Sequence, residues 1–202
     1  MFYLHPYQFK TKAIDAVRLL EEYQLGKRDF SQIRLVKGSL ADVRLADVKF
    51  WGANLAETNL SRTVLRRANL SESSLEGTTL WRSDLSQASL IQTNCRNALL
   101  ICANLTEANL SQSVLRGAEM RLASLVKTNL RDADLSGANL SYADLSYANL
   151  TGANLDGTIL TGANLNGTNL GDTNLNQAVL SGTDLSQAIL SRSKANCVSI
   201  DD

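Results

Sequence analysis

Large apolar residues recur at every fifth position of this chain, from Phe30 to Leu190, without a slip in register. The run reads Phe30, Leu35, Leu40, Leu45, Phe50, Leu55 and onward to Leu185 and Leu190; Cys95 and Met120 are the only centres that are neither leucine nor phenylalanine. A period of five fits neither a helix, at 3.6, nor a simple strand, at two. An unbroken short period predicts stacked units, none of which can bury its apolar face alone. With each Leu or Phe called the centre, i, the residue at i−2 is nearly always small, as at Ala53, Ala68, Ala103, Thr58 and Ser73. Positions i−2 and i are therefore expected to point inward, a small residue beside a large one filling a narrow tube. The other three positions are polar. Asparagine recurs at i−1, as at Asn54, Asn104, Asn139 and Asn164, and i+2 holds nine of the twelve glycines. Glycine suits the positive φ at the second central residue of a type II turn, so each unit should be one short extended side followed by a corner.

The triplets Ala103-Asn104-Leu105, Ala133-Asp134-Leu135, Ala138-Asn139-Leu140 and Ala163-Asn164-Leu165 resemble the signature of the pentapeptide-repeat family, A(D/N)Lxx. The resemblance covers about four fifths of the chain, and the motif is specific because it recurs without interruption. It implies an all-β solenoid, a right-handed quadrilateral β-helix of about eight coils with a short N-terminal α-helical cap. The period alone gives five residues per side; the four sides come from the resemblance. Residues 20 apart would then stack at about 4.8 Å per coil, with Asn109, Asn129, Asn149 and Asn169 forming one ladder. The segment from Leu19 to Phe30 looks like the usual start of the first coil in cyanobacterial members of the family.

The expected organisation is an N-terminal segment and capping helix over 1–26, the repeat solenoid over 27–195 and a tail over 196–202. Within the first part, Ile14, Val17 and Leu20 make an apolar stripe over residues 11–25, with Thr11 as a candidate N-cap and Gly26 as the stop. This helix would cover the first coil, where exposed backbone otherwise templates association. Phe2, Tyr3, Tyr7 and Phe9 are placed to pack beside it. At the other end the pattern decays after Leu190, with Ile200 as a last candidate inward residue and no second amphipathic helix. A monomer or a weak end-to-end dimer is expected.

The 202 residues carry 20 basic and 20 acidic side chains, a net charge of zero that argues against a general polyanion binder. The charges are uneven: between Asp132 and Ser191 there are six aspartates and no Lys or Arg. No N-terminal stretch reads as a signal peptide or membrane span, so a cytoplasmic location is the expectation. Cys95 sits at an inward centre, Cys102 at an outward i+2 position, and with Cys197 the three have no metal-ligand spacing. The single histidine, His5, excludes most His-based triads and His metal sites. There is no P-loop, GxGxxG or HExxH, and the aspartates at i−1 alternate with Asn as repeat positions. The chain is read as no enzyme, with no cofactor and no metal.

Function is therefore sought on the outside of the rod. Of fifteen large outward apolar residues between Ser31 and Ser191, seven fall on the side whose centres are Leu40, Leu60, Leu80 and Leu100: Trp81, Leu99, Ile101, Leu122, Tyr142, Ile159 and Val179. Arg62, Arg82 and Arg121 surround them. An aromatic and aliphatic centre with an arginine rim is the composition of a protein-binding patch, although surface hydrophobes also scatter normally, and both readings stand at this point. The candidate partner-binding residues are Trp81, Leu99, Ile101, Leu122, Tyr142, Arg82 and Arg121. Some members of the family mimic DNA and bind DNA gyrase. That alternative needs a strongly negative surface, whereas the aspartates here are dispersed over three sides. Direct nucleic-acid binding through Arg62, Arg66, Arg67, Arg82, Arg96 and Arg116 is disfavoured by the acids among them, with Glu76 expected to pair with Arg96 across one coil.

Overall fold

A computed structural model describes residues 12–196 of the chain. They form a right-handed, four-sided β-helix. Parallel backbone pairing joins residues 20 apart, from Asp29 with Lys49 to Asn174 with Lys194, always at i−1. That is about eight coils, a rod of roughly 40 Å at about 4.8 Å each. Each side is stitched to the next coil by three bonds. The Leu55 N–H, for example, donates to the Ser74 carbonyl at 2.9 Å, the Ser74 N–H returns to Ala53 at 2.9 Å, and the Glu57 N–H at the corner donates to Glu76 at 2.8 Å.

The core is one continuous column. Every centre from Phe30 to Leu180 is buried, as are the small residues at i−2 from Ala53 to Ala178. The alternation of Ala and Leu fills the tube because two large residues per side would overpack it. Where i−2 is threonine or serine the hydroxyl has an acceptor: Thr93 Oγ1 donates to Leu70 O of the preceding coil at 2.8 Å, and Ser83 Oγ to Leu80 O at 2.7 Å. No buried side-chain polar atom among the described residues lacks a partner, as the high cost of an unsatisfied buried group requires.

The corners show a stricter rule than glycine preference. Every i+2 residue from Gln32 to Gly182 has positive φ, and most are not glycine. None of them is Val, Ile or Thr. Left-handed backbone is uncommon for an L residue and far worse for a β-branched one, so the corner selects against branching at Cβ more than it selects for glycine.

Asparagine at i−1 also has a local cause. Its Oδ1 accepts the N–H of i+1, as in Ser111 N to Asn109 at 3.1 Å and Thr151 N to Asn149 at 3.1 Å. This ties the side to its own corner. The column Asn109, Asn129, Asn149 and Asn169 does stack, and Asn129 Nδ2 donates to Asn109 Oδ1 at 3.2 Å. Asn also lies over Asp, as in Asn104 on Asp84 at 3.1 Å and Asn164 on Asp144 at 2.9 Å.

The N-terminal end is covered, with three corrections to the sequence expectation. The helix is shorter, α1 spanning Ala16–Gln24. Its N-cap is Asp15, whose carboxylate accepts the Arg18 N–H at 2.9 Å; Thr11 lies outside the described residues. The buried face is Ala16, Leu19, Leu20 and Tyr23, while Val17 is 67% exposed, because starting at residue 16 sets the 3.6-residue stripe on 16, 19/20 and 23. Ahead of the helix an unforeseen strand, β1 (Lys12–Ala13), pairs in parallel with β2 (Ile33–Arg34) and continues the stack by one rung. Tyr23 clamps the helix by donating its hydroxyl to Ala46 O at 2.9 Å, and Gly26 ends it at φ +96°. Phe2, Tyr3, His5, Tyr7 and Phe9 lie outside the described residues. At the far end Ile189 is 54% and Leu190 41% exposed, and no second helix covers them among the described residues; Cys197 and Ile200 lie outside that range.

Candidate functional site

On the Leu100 side, each outward residue has a fixed address. Thr79, Leu99, Glu119, Asn139, Ile159 and Val179 stack at i−1 through backbone pairing. At the corner the N–H of each i+2 residue donates to the i+1 carbonyl one coil on: Arg62 to Trp81 at 2.8 Å, Arg82 to Ile101 at 3.1 Å, Cys102 to Arg121 at 3.0 Å and Leu122 to Ser141 at 3.1 Å. The spacing of the surface side chains is therefore set by the same bonds that hold the rod.

Trp81, Leu99, Ile101, Cys102 and Leu122 occupy neighbouring rungs. Trp81 and Ile101 are half-buried, Leu99 is exposed and Leu122 is 60% exposed. Trp81 is held between two arginines, with the Arg82 guanidinium 4.7 Å and the Arg62 guanidinium 5.6 Å from its ring centroid. Arg62 is itself fixed by a two-point contact to Asp42 at 2.5 and 2.6 Å. That contact lowers the Asp42 pKa, chiefly through the hydrogen bond, and raises that of Arg62.

The structure alters the expected rim. Arg121 does not stand free beside the apolar residues but pairs with Glu119 on its own rung at 3.2 Å. This polar rung separates Trp81, Leu99 and Ile101 from Ile159 and Val179 along the middle of the side. Continuity passes along the corner instead, through Arg82, Cys102, Leu122 and Tyr142. Tyr142 is 63% exposed, with its ring edge over Gly162, where a Cβ would come within 2.6 Å of the ring. Tyr147, 61% exposed, repeats this arrangement over Gly167 at the next corner. The sequence reading left it out because its centre, Leu145, belongs to the neighbouring side; the signal was a Tyr at i+2 with Gly 20 residues later, twice.

The arginines proposed for nucleic acid are mostly committed. Arg67 grips Asp47 at 2.7 and 2.8 Å, Arg66 lies 3.8 Å from Asp84, and Arg116 lies 4.0 Å from Asp134. Arg96 and Glu76 do not meet directly; Asn94 stands between them, donating to Glu76 at 3.2 Å and accepting from Arg96 at 3.2 Å. The reason is register: Asn94 projects toward Glu76 from the adjoining coil and takes the carboxylate first. Arg82 has no carboxylate within ion-pair distance among the described residues, and its guanidinium lies over the Trp81 ring.

The depressions on the rod are shallow. One of about 410 Å³ lies between Arg44, Val64, Arg66 and Asp84, and another of about 610 Å³ lies where Ile14 and Asp15 face Val36 and Lys37. Among the described residues no three His, Cys, Asp or Glu side chains converge to hold a metal, and no helix is long and apolar enough to cross a membrane. Burial pushes the Cys95 thiol up to about 12. What this surface offers chemically is rigid contact area: an aromatic anchor, aliphatic neighbours and one uncommitted cation.

A comparison with curated proteins finds no match. Among solved structures, the chain is similar to HetL, a pentapeptide repeat protein involved in heterocyst differentiation regulation from the cyanobacterium Nostoc sp. strain PCC 7120. The two are 31% identical over 90% of this chain and 96% of that one, with a TM-score of 0.50. It is also similar in fold to QnrB1, a plasmid-mediated fluoroquinolone resistance protein, at 18% identity, 84% and 90% coverage and a TM-score of 0.65. The family model described as pentapeptide repeats matches residues 44–82, 82–117, 118–157 and 158–194 in eight copies. With the five-residue register, the four-sided coil and these matches together, the chain belongs to the pentapeptide-repeat family.

Proposed function

We propose that this protein is a non-catalytic interaction scaffold whose Leu100 side docks a protein partner, in a regulatory role and a cytoplasmic setting. The observation that carries this is the joined set Trp81, Leu99, Ile101 and Leu122, presented on a backbone whose i−1, i and i+2 N–H groups bond coil to coil. A rigid surface loses little entropy on docking, so a modest patch can bind usefully. The similarity to HetL, a protein involved in regulation, supports the same reading.

The test is a cross-linked pull-down from source-cell lysate, with wild type beside Ile101→Arg. Arginine is native to the same slot at Arg96, Arg116 and Arg121, so the variant should fold. A protein retained by wild type and lost from the variant is the expected result; identical recoveries with unchanged circular dichroism would reject this side as the site. The DNA-gyrase alternative gains no support from the surface, because Asp132 and Asp172, Asp134 and Asp156, and Asp144 and Asp184 lie on three different sides. A supercoiling reaction inhibited by the protein would reinstate it. Weak end-to-end pairing through the open Ile189–Leu190 end accompanies the scaffold reading, and light scattering that stays monomeric at high concentration would remove it.

A further inference from the structure

The Leu45 side of the rod, which adjoins the Leu100 side, has open backbone donors beside unmatched cations. In many units the Asn or Asp at i−1 accepts the N–H of i+1, as Asp84 does for Ser86 and Asn104 for Thr106, both at 3.1 Å and both on this side. Two successive units here lack that brace. Arg44 and Val64 stand at i−1, paired through their backbones, and neither side chain has an acceptor atom. The Ala46 and Arg66 N–H groups are therefore left without an acceptor among the described residues. The Asp47 N–H bonds to Arg66 O at 2.9 Å, which sets the two open groups one above the other, about 4.8 Å apart. They face outward, since in braced units the same N–H meets an outward Asn or Asp oxygen. Open backbone N–H groups side by side are fixed partial positive charges that suit an anion.

The side chains around them add to this. A shallow depression of about 410 Å³ is lined by Arg44, Ala46, Val64, Arg66, Arg67 and Asp84. Arg67 is spent on Asp47 and Arg66 lies 3.8 Å from Asp84, so these charges cancel in pairs, as do Arg62 and Asp42 at the preceding corner. Arg44 is exposed and has neither a carboxylate within ion-pair distance nor a side-chain hydrogen bond among the described residues. Arg28 also lacks a carboxylate. Its guanidinium lies 3.8 Å from the Tyr23 ring centroid, and the Tyr23 hydroxyl donates to Ala46 O at 2.9 Å, which puts this second cation at the rim. Two uncompensated guanidiniums thus stand beside two unbonded N–H groups.

We propose that this depression binds one phosphoryl group, as inorganic phosphate or as the monoester of a small molecule. A phosphoryl group carries a charge of about −1.5 to −2 at neutral pH and three strong acceptor oxygens, which matches two unbalanced cations; a carboxylate, with one charge, leaves one of them unmatched. Its oxygens take the places that Asn and Asp Oδ1 atoms fill in braced units. One accepts the Ala46 N–H, a second accepts the Arg66 N–H, and the Arg44 guanidinium closes over the group. The site suits a single phosphoryl group and not a nucleic-acid strand, because the next coils of the same side present Asp84 and Glu107. It is independent of the Leu100 side and of any protein partner there.

The test is a titration of the nitrogen-15-labelled full chain with inorganic phosphate, and separately with glycerol phosphate, each against sodium chloride of equal ionic strength. Saturable shifts of the Ala46 and Arg66 amide signals are expected, while the Thr106 amide, braced by Asn104, stays in place. The tighter of the two ligands identifies the free ion or the ester as the source. Arg44→Asn and Val64→Asn restore the missing brace, and asparagine is native to that slot on this side at Asn104 and Asn164, so both variants should fold and melt near wild type. Each should weaken binding about tenfold or more, the first by removing a cation and both by occupying a donor. Asp84→Asn keeps an oxygen for the Ser86 N–H and removes the facing acid, so it should tighten binding several-fold. Shifts that match those in chloride, shifts that do not saturate, wild-type affinity in a folded Val64→Asn, or no tightening in Asp84→Asn would each overturn the proposal.

Discussion

The corner rule makes a sharp prediction at Glu72. This residue sits at i+2 with φ of 59°, its N–H donates to Ile91 O at 2.9 Å, and its side chain is exposed with no bonded partner. Replacing it therefore tests backbone conformation almost alone. Glu72→Gly removes left-handed strain of about 1–2 kcal/mol and gives back about 0.5–1 kcal/mol through the freer unfolded chain, so it should be neutral or slightly stabilising. Glu72→Val puts a branched Cβ into the same well, at a further cost of about 1–3 kcal/mol. The two variants should differ by about 2 kcal/mol, which in a domain of this size is a Tm difference of about 4–8 °C. Ser74→Val, two residues on, is the control: it stands at i−1, where valine is native at Val64, Val114 and Val179, and it should melt near wild type. The assay is thermal unfolding by far-UV circular dichroism. Should Glu72→Val and Glu72→Gly melt within a degree of each other, the absence of branched residues from the corners would not be a conformational effect.

Leu105→Asp should cost about 3–5 kcal/mol by leaving an unpaired charge in the tube, whereas Asn59→Asp should be mild because only its Oδ1 is used, to accept Ser61 N; urea unfolding compares them. Asn104→Asp is a different case, because the Asn104 amide donates to Asp84. Two stacked carboxylates raise their folded pKa above the unfolded value, so this penalty is present at neutral pH and lifts as the pH falls through the raised value; a variant equally destabilised at pH 4 and pH 7 would contradict this. In a Cys197→Ser background, a thiol reagent at pH 8 should modify Cys102 readily and leave Cys95 untouched until unfolding, since burial raises the Cys95 thiol to about 12. Gly162→Ala should destabilise by about 1–3 kcal/mol, and Tyr142→Ala should relieve part of that, because the new Cβ would meet the Tyr142 ring; additive effects would show that the ring simply moves aside.

The fold was legible because its determinants are local and repeated. The inward Leu, the small residue at i−2 and the Asn that accepts its own corner N–H recur at one spacing, so 33 centres of a weak signal make a strong one. What the sequence hid were features that occur once. Asp15 as N-cap, β1 ahead of the helix and the pairing of Arg121 with Glu119 each depend on a single neighbour, with no repetition to reveal it. The corner rule itself is written in the sequence, in the lack of Val, Ile and Thr at i+2, behind the more conspicuous glycines. The Leu100 side was recoverable only after folding at 20 residues per coil, since Trp81, Ile101 and Leu122 are scattered in the chain and adjacent on the rod.

This separation bears on where function can reside. The solenoid is specified by i−2, i and the unbranched corner, and coil-to-coil bonds from the i−1, i and i+2 N–H groups hold each side. The side chains at i−1, i+1 and i+2 are then nearly free of structural duty, apart from the Asn that braces its corner. A side chain at i+1 or i+2 that departs from Ser, Thr, Gly or a paired charge is not there to make the coil. Trp81, Ile101, Leu122 and Tyr142 depart in this way in adjoining rungs, and Arg82 beside them lacks the carboxylate that Arg62, Arg67 and Arg121 each have. Exposed apolar surface of this kind costs solubility and returns nothing to the coil, and its concentration on one side supports the proposal that this side meets a protein partner.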